Sequence, residues 1–384
     1  MVFDFLQPVD FSIVKYVKNL SSQHLGNKVV FHTDSDFPDL DNVKLAIVGV
    51  LENRGLPESD QTVDLTFIRR ELYQLYPGNW AASIADLGDI LGGNSISDTS
   101  FALRAVVEVL LKKRIIPIVI GGSQDLTYAM YRAYDNLEQM VNLAAIDSRF
   151  DFGREEDALT AGSYMSKIII DEPTNLFNFS NIGYQTYFNS QEEIDLIDKM
   201  FFDSYRLGEI TGHIELAEPV LRDADLVSLD LTSIKSSDSG NSIIFTPNGF
   251  SGKEICALSR YAGISDKVSV FGIFNHNSTN GEAVLIAQIV WYFIEGYHYR
   301  SNEYPFGSRE HYSKYIVPLE DEEVIFYKSD KSDRWWIEIP YVATGNNKLK
   351  KNSLLPCSYE EYLSAINQEL PERWWKAQRK NILI

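Results

Sequence analysis

The sequence predicts an α/β fold, a three-layer sandwich with helices on both faces of a mostly parallel sheet. Three observations predict it. Short apolar runs rich in Val and Ile recur along the chain, and helical patterns separate them. The runs are apolar almost throughout rather than alternating, as strands buried on both faces are. In order, the strand candidates are 44–50, 115–120, 141–146, 226–230 and 268–274, with 166–170 as a further one. Pro117 sits near the start of its run, where a strand tolerates a residue without an N–H. Between the strands, Asp98 is placed to cap a helix running to Arg114, and 191–202 and 252–262 also read as helices. The most apolar stretch, 283–294, is interrupted by Gln288 and is too short to span a bilayer, so it reads as a buried helix.

The texture changes after about Tyr297. Segments 316–319, 324–327 and 334–341 look like short strands between acidic or Gly/Asn-containing turns, and Ser358 to Glu361 forms a capping-box pattern that starts a final helix. This tail holds Trp335, Trp336, Trp374 and Trp375. Paired tryptophans pack on the parent core or form a patch that binds a protein partner.

Composition narrows the function classes. Of 384 residues, 45% are apolar and 23% charged, ample for a large core. The net charge of −19 repels phosphate backbones and anionic lipid, which argues against broad nucleic-acid or membrane-surface binding. Cys256 and Cys357 are the two cysteines. They make neither a disulfide framework nor a Cys-rich zinc site, and they fit a reducing cytoplasm. Residues 1–5 lack the basic segment and apolar run of a signal peptide.

Ligands of open parallel sheets sit outside the carboxyl ends of the strands, so the residues after each strand carry the functional reading. These are Gly121, Gly122, Ser123, Gln124 and Asp125; Asp147, Ser148, Arg149, Phe150 and Asp151; Asp230, Leu231 and Thr232; and Asn275, His276 and Asn277. The Gly121-Gly122 pair also reads simply as a tight turn, since glycine permits positive φ. It is no phosphate loop, having neither the spaced glycines nor the lysine. No Gly-x-Ser-x-Gly elbow surrounds Ser123.

These blocks resemble, in order and in strand context, those of the ureohydrolases: arginase, agmatinase and formimidoylglutamase. The similarity is nearest the formimidoylglutamase-like branch. The family carries Gly-Gly-Asp-His-Ser, Asp-Ala-His-x-Asp, Ser-x-Asp-x-Asp-x-x-Asp-Pro and Glu-x-Asn-Pro after successive strands. Segments 67–70 and 84–88 resemble its upstream parts. The resemblance implies an arginase-like α/β domain at 41–297, preceded by an N-terminal segment at 1–40 and followed by a β-rich extension at 298–384 packed on the core.

It also implies a chemistry, two Mn²⁺ ions held by six His and Asp ligands and activating a shared water. Carried over position by position, Asp147, Asp151 and Asp230 are kept. Gln124 stands for one His, Arg149 for another and Thr232 for the second Asp of its block; Ser237-Asp238 is nearby where Asp-Pro is absent, and Asn275 stands for the Glu that grips substrate. Gln and Thr are weak neutral ligands, and Arg does not ligate because it stays protonated. The expectation is therefore a cytoplasmic family member that has lost the dimanganese centre and acts by binding, as scaffold or regulator. No cofactor is then expected, and a residual pocket remains of Gln124, Asp147, Arg149, Asp151, Asp230, Thr232, Asn275 and His276. Arg149 would replace the metals as counter-charge, its planar fork bonding two carboxylates. The alternative is a hydrolase of guanidino or formimino C–N bonds with a reduced manganese site on Asp147, Asp151 and Asp230, assisted by His276 or Gln124. A third reading makes Asp147 or Asp230 a metal-free general base, weakened by a pKa that Arg149 lowers. The partner expectations are a protein bound through the Trp-rich extension, or a homo-oligomer.

Overall fold

The computed structural model describes residues 2–56, 63–81, 83–137, 139–153, 158–241, 244–277, 280–303, 305, 309–319, 323–339 and 354–383. Ten strands form the main sheet: β1 (Leu6–Gln7), β2 (Val29–Phe31), β3 (Val43–Leu51), β4 (Ser83–Leu91), β5 (Ile116–Gly121), β6 (Val141–Ile146), β7 (Leu176–Tyr184), β8 (Asp203–Arg206), β9 (Leu226–Asp230) and β10 (Val270–Phe274). Their order is β1-β4-β3-β5-β10-β9-β6-β7-β8, with β2 also on β4. Every pairing is parallel except that of β1 with β4. The N-terminal segment thus contributes β1 and β2 to the same sheet.

Helices cover both faces. They are α1 (Phe11–Lys18), α2 (Thr66–Tyr73), α3 (Ile96–Lys112), α4 (Leu126–Arg132), α5 (Tyr164–Ile170), α6 (Gln191–Lys199), α7 (Leu207–Gly212), α8 (Ala217–Asp223), α9 (Ser236–Ser239), α10 (Gly252–Ile264) and α11 (Asn280–His298). Side chains alternate across the strands, so the sheet separates two apolar layers. Ile116, Ile118 and Ile120 of β5 pack into the layer holding α2, α10 and α11, while Val119 faces the layer of α3, α4 and α5. The two segments resembling the family's upstream parts meet here. Arg69 of α2 holds Asp86 and Asp89 of β4 through nitrogen–oxygen contacts of 2.8 Å each.

Two local expectations are corrected, and one strand was missed. Residues 166–170 belong to α5, not to a strand: the seven-residue helix packs Met165 and Ile168 inward, which a β-rich composition alone does not reveal. The strand in that region is β7, whose Asn178, Ser180 and Asn181 hide it from an apolar-run search. Ser95, not Asp98, caps α3. Its Oγ accepts from the Asp98 N–H at 3.2 Å while the Asp98 carboxylate accepts from the Ser95 N–H at 2.8 Å.

The C-terminal region is a separate antiparallel sheet, β11 (Tyr312–Pro318), β12 (Glu323–Ser329), β13 (Trp335–Glu338) and β14 (Leu354–Cys357), in that order, with α12 (Tyr359–Ile366) and α13 (Glu372–Leu383). The end of the expected strand 334–341 lies outside the described residues. Ser358 caps α12 in the expected box. Cys357 ends β14 and is buried, as is Cys256. Trp335, Trp336 and Trp374 are buried and Trp375 is 44% exposed. Arg222 of α8 ties this sheet to the main one. It donates to the carbonyls of Trp335 and Cys357 and lies over the Trp336 ring. Among the described residues no helix is long and apolar enough to cross a membrane.

Candidate functional site: a buried carboxylate cluster

The strand order places the carboxyl ends of β5, β10, β9 and β6 side by side, and these ends carry the predicted residues. A cleft of about 430 Å³ opens there. Arg149, Asp151, Asp230, Thr232 and Asn275 line it, together with Phe188. Asp147 and Gln124 are buried close by, 0% and 1% exposed.

Two residues at the strand ends take left-handed backbone angles, Asp151 with φ of 56° and Asn275 with φ of 59°. Asp and Asn tolerate this region better than other side-chain-bearing residues. The turn at Asn275 permits a reciprocal lock: its Oδ1 accepts from the Gln124 N–H at 3.0 Å, and its Nδ2 donates to Gln124 Oε1 at 3.3 Å. Gln124 Nε2 reaches Tyr164 Oη and Ser228 Oγ, each at 3.4 Å. At the end of β9, Asp230 accepts from the Thr232 N–H at 2.7 Å and from Thr232 Oγ1 at 2.6 Å, so both its oxygens are engaged. Asp147 Oδ1 accepts from the Arg149 N–H at 2.8 Å. The Asp147 carboxyl lies close to those of Asp151 and Asp230 and to the Gln124 amide, and Oδ2 of Asp147 and of Asp151 makes no hydrogen bond.

Burial dominates the electrostatics. It pushes Asp147 well above the usual carboxylate range, reinforced by Asp151 and Asp230. It pushes Asp151 up to about 8, with Asp230 adding to the effect, and it raises Asp230 despite the Thr232 hydrogen bonds. This corrects the expectation of carboxylates lowered by Arg149. The Arg149 guanidinium does not bridge the cluster. It is exposed, lies 4.3 Å from the centroid of the Phe188 ring, and donates to the Phe188 carbonyl at 3.3 Å. It forms no ion pair with Asp147, Asp151 or Asp230 and acts on Asp151 and Asp230 only through space. Keeping a guanidinium hydrated costs less than burying it beside groups that can themselves take up protons.

His276 is buried beside Asn275, faces the Gly121 backbone rather than the cleft, and is pushed down to about 4 by burial, so it is neutral at pH 7. Asp238 lies away from the cluster, where it accepts from the Gly252 N–H at the start of α10 at 2.8 Å. Segment 161–165 weakly resembles the family's substrate loop after the Asp-x-His-x-Asp block; its Ala161 and Gly162 line the cleft. Within it nothing in the sequence signalled that Tyr164 reaches the carboxylates, and Phe188 carried no sequence signal at all. Tyr164 is buried against all three carboxylates, which together with burial push its hydroxyl pKa well up. Phe188 shapes the cleft mouth.

The donor set does not fit a pair of Mn²⁺ ions. Arg149 faces outward, Thr232 already serves Asp230, and Gln124 is bound to Asn275, Tyr164 and Ser228. Two carboxylate oxygens, Asp147 Oδ2 and Asp151 Oδ2, make no hydrogen bond. Among the described residues, no three His, Cys, Asp or Glu side chains form a group that could hold a metal ion.

Comparison with known proteins agrees with the fold. No curated protein sequence matches the chain significantly. Among solved structures, formiminoglutamase from Trypanosoma cruzi with Mn²⁺ is similar at 17% identity and a TM-score of 0.62, over 69% of this chain and 97% of that one. Formimidoylglutamase from Bacillus subtilis aligns at 17% identity and a TM-score of 0.59, over 71% and 96%. Agmatine ureohydrolase of Thermoplasma volcanium aligns at 16% identity and a TM-score of 0.57, over 74% and 97%. The sequence profile of the arginase family matches residues 64–259, just over half of the chain and the part that builds most of the sheet and the carboxylate cluster; the chain belongs to the arginase family.

Proposed function

We propose that this chain is an arginase-family protein that works without the dimanganese centre and uses its cleft to bind rather than to hydrolyse. The observation that carries the reading is the side-chain arrangement at the three replaced ligand positions. Arg149 points to Phe188, Thr232 saturates Asp230, and Gln124 is locked to Asn275. Hydrolysis of a C–N bond at neutral pH needs an activated water, and neutral or proton-sharing carboxyls are poor substitutes for a metal in making one. A role as scaffold or regulator in the cytoplasm, with a protein partner or a second copy, belongs to the same proposal.

A second reading is favoured by one feature, the Oδ2 atoms of Asp147 and Asp151 that make no hydrogen bond. It makes the chain a hydrolase with a reduced metal site on Asp147, Asp151 and Asp230, acting on the linear amidines or guanidines that formimidoylglutamase and agmatine ureohydrolase are named for.

One experiment separates them: metal content after expression in Mn²⁺-supplemented medium, with thermal melts with and without Mn²⁺. A resident ion at a hundredfold excess over its Kd adds about 2.7 kcal/mol. The binding reading expects no stoichiometric Mn and no shift, and no turnover of formimidoylglutamate, arginine or agmatine. Stoichiometric Mn with a clear shift and turnover overturns it.

A further inference from the structure

A second cleft, of about 380 Å³, opens beyond β7 and β8. It shares walls with the first: segment 185–188 and the stretch after β9 contribute residues to both. Its lining includes Arg206, at the end of β8, and Lys235, just before α9.

We propose that this cleft is a binding site for a small oxyanion, the carboxylate or phosphate group of a metabolite, gripped by Arg206 and Lys235.

The gathering of two cations and a phenol around one cleft carries the argument. Among the described residues, neither the exposed Arg206 guanidinium nor the half-buried Lys235 ammonium has a protein hydrogen-bond or ion-pair partner, so both are free to turn to a ligand in the cleft. Tyr187 adds a third donor. Its Oη accepts from Asn248 Nδ2 at 3.0 Å and keeps its own proton for a ligand. The one carboxylate in the lining, Glu254, already accepts from the Ser251 N–H at 2.7 Å in the capping box of α10. Asp238 lies near enough to Lys235 to feel its charge, and Asp198 and Glu209 push the Tyr184 hydroxyl up where Arg206 pulls it down; none of these three carboxylates lines the cleft. Cationic donors without acceptors at a concave surface fit an anion with several acceptor oxygens, and Arg adds bidentate geometry.

The walls are fixed in advance. Gln185 is 4% exposed, donates to the Asn248 carbonyl at 3.0 Å, and accepts from Asn248 Nδ2 at 3.0 Å. The Lys235 N–H donates to the Phe250 carbonyl at 2.9 Å, next to the parallel bridge of Ile234 with Phe250. Gly249 permits that approach, because a Cβ there would stand 2.4 Å from the Ser233 carbonyl oxygen. A site whose backbone is already ordered pays less on binding.

This inference does not depend on how the carboxylate cluster is read. The test is calorimetric titration of the full chain with inorganic phosphate and, separately, with succinate, at constant ionic strength set with chloride. The expected result is one saturable site for at least one of the two anions, weakened about tenfold or more by Arg206→Gln and by Lys235→Gln. Lys199→Gln, on α6 outside the cleft, leaves it unchanged. Binding of phosphate alone assigns a phosphorylated ligand, and binding of succinate a carboxylate. No saturation by either anion below about 10 mM, or equal binding by wild type and both cleft variants, overturns the proposal.

Discussion

Arg149 is the residue at which sequence logic and geometry diverge most. The family resemblance sets it where a histidine is expected, and by charge it is the natural neutraliser of three acids. In the structure it lies over Phe188 with its charge in solvent. Arg149→Ala is therefore expected to cost no more than about 1 kcal/mol in a urea melt, the value of an exposed cation–π contact. A loss of several kcal/mol would restore the counter-charge role. Thr232 behaves oppositely. Its hydroxyl donates to Asp230 Oδ2 at 2.6 Å in a buried setting, so Thr232→Val leaves a carboxylate short of a partner. The expected loss is about 1–3 kcal/mol, read from the same melt. The kept aspartates, and Gln124 with its neighbours, were legible because each follows a recognisable strand. The outward turn of Arg149 and the approach of Tyr164 were not, since both depend on which side chains arrive from other loops.

Among the elements, regular strands and capped helices were the readable ones. The strands 141–146 and 226–230 stand where their apolar runs end, and the Ser358 box opens α12. The polar residues of β7 hid it because they satisfy one another and their neighbours. Asn178 donates to the Asp203 carboxylate at 2.8 Å, and Asn181 donates to the Arg149 carbonyl at 2.7 Å. The cap of α3 gives a test at this scale. Ser95→Ala removes one side of the capping box and is expected to cost about 1 kcal/mol by chemical denaturation, with no change in anion binding.

At the scale of the whole molecule, the C-terminal sheet is bound to the α/β body by a few long cations. Arg222 pairs with Glu218 and reaches Trp335, Cys357 and the Trp336 ring from a nearly buried position. Arg222→Ala is expected to cost about 3–5 kcal/mol and to red-shift tryptophan emission as this sheet loosens. Lys380 of α13 donates to Asn178 Oδ1 and packs near Phe177 and Phe202. Burial pushes its pKa down to about 8, from 10.5. The unfolded chain therefore holds this proton more tightly than the folded one between those values, so the contribution of Lys380 to stability rises as pH climbs from about 8 to 10.5. Lys380→Met lacks that rise. The wild type is expected to gain about 3 kcal/mol relative to the variant across the window, measured by denaturation at stepped pH, and parallel curves would refute the assignment.

The sequence by itself determined the α/β class, the parallel sheet and the strand ends that carry the site. Each of these follows from local chemistry: apolar periodicity and turn residues. Tertiary structure decided the rest. It set the strand order that brings β5, β10, β9 and β6 together, and the burial that outweighs Arg149 in setting the carboxyl pKa values. It also paired Arg206 and Lys235, 29 positions apart in the chain, across one cleft. Those outcomes depend on distance and dielectric between residues far apart in sequence, and folding alone fixes both.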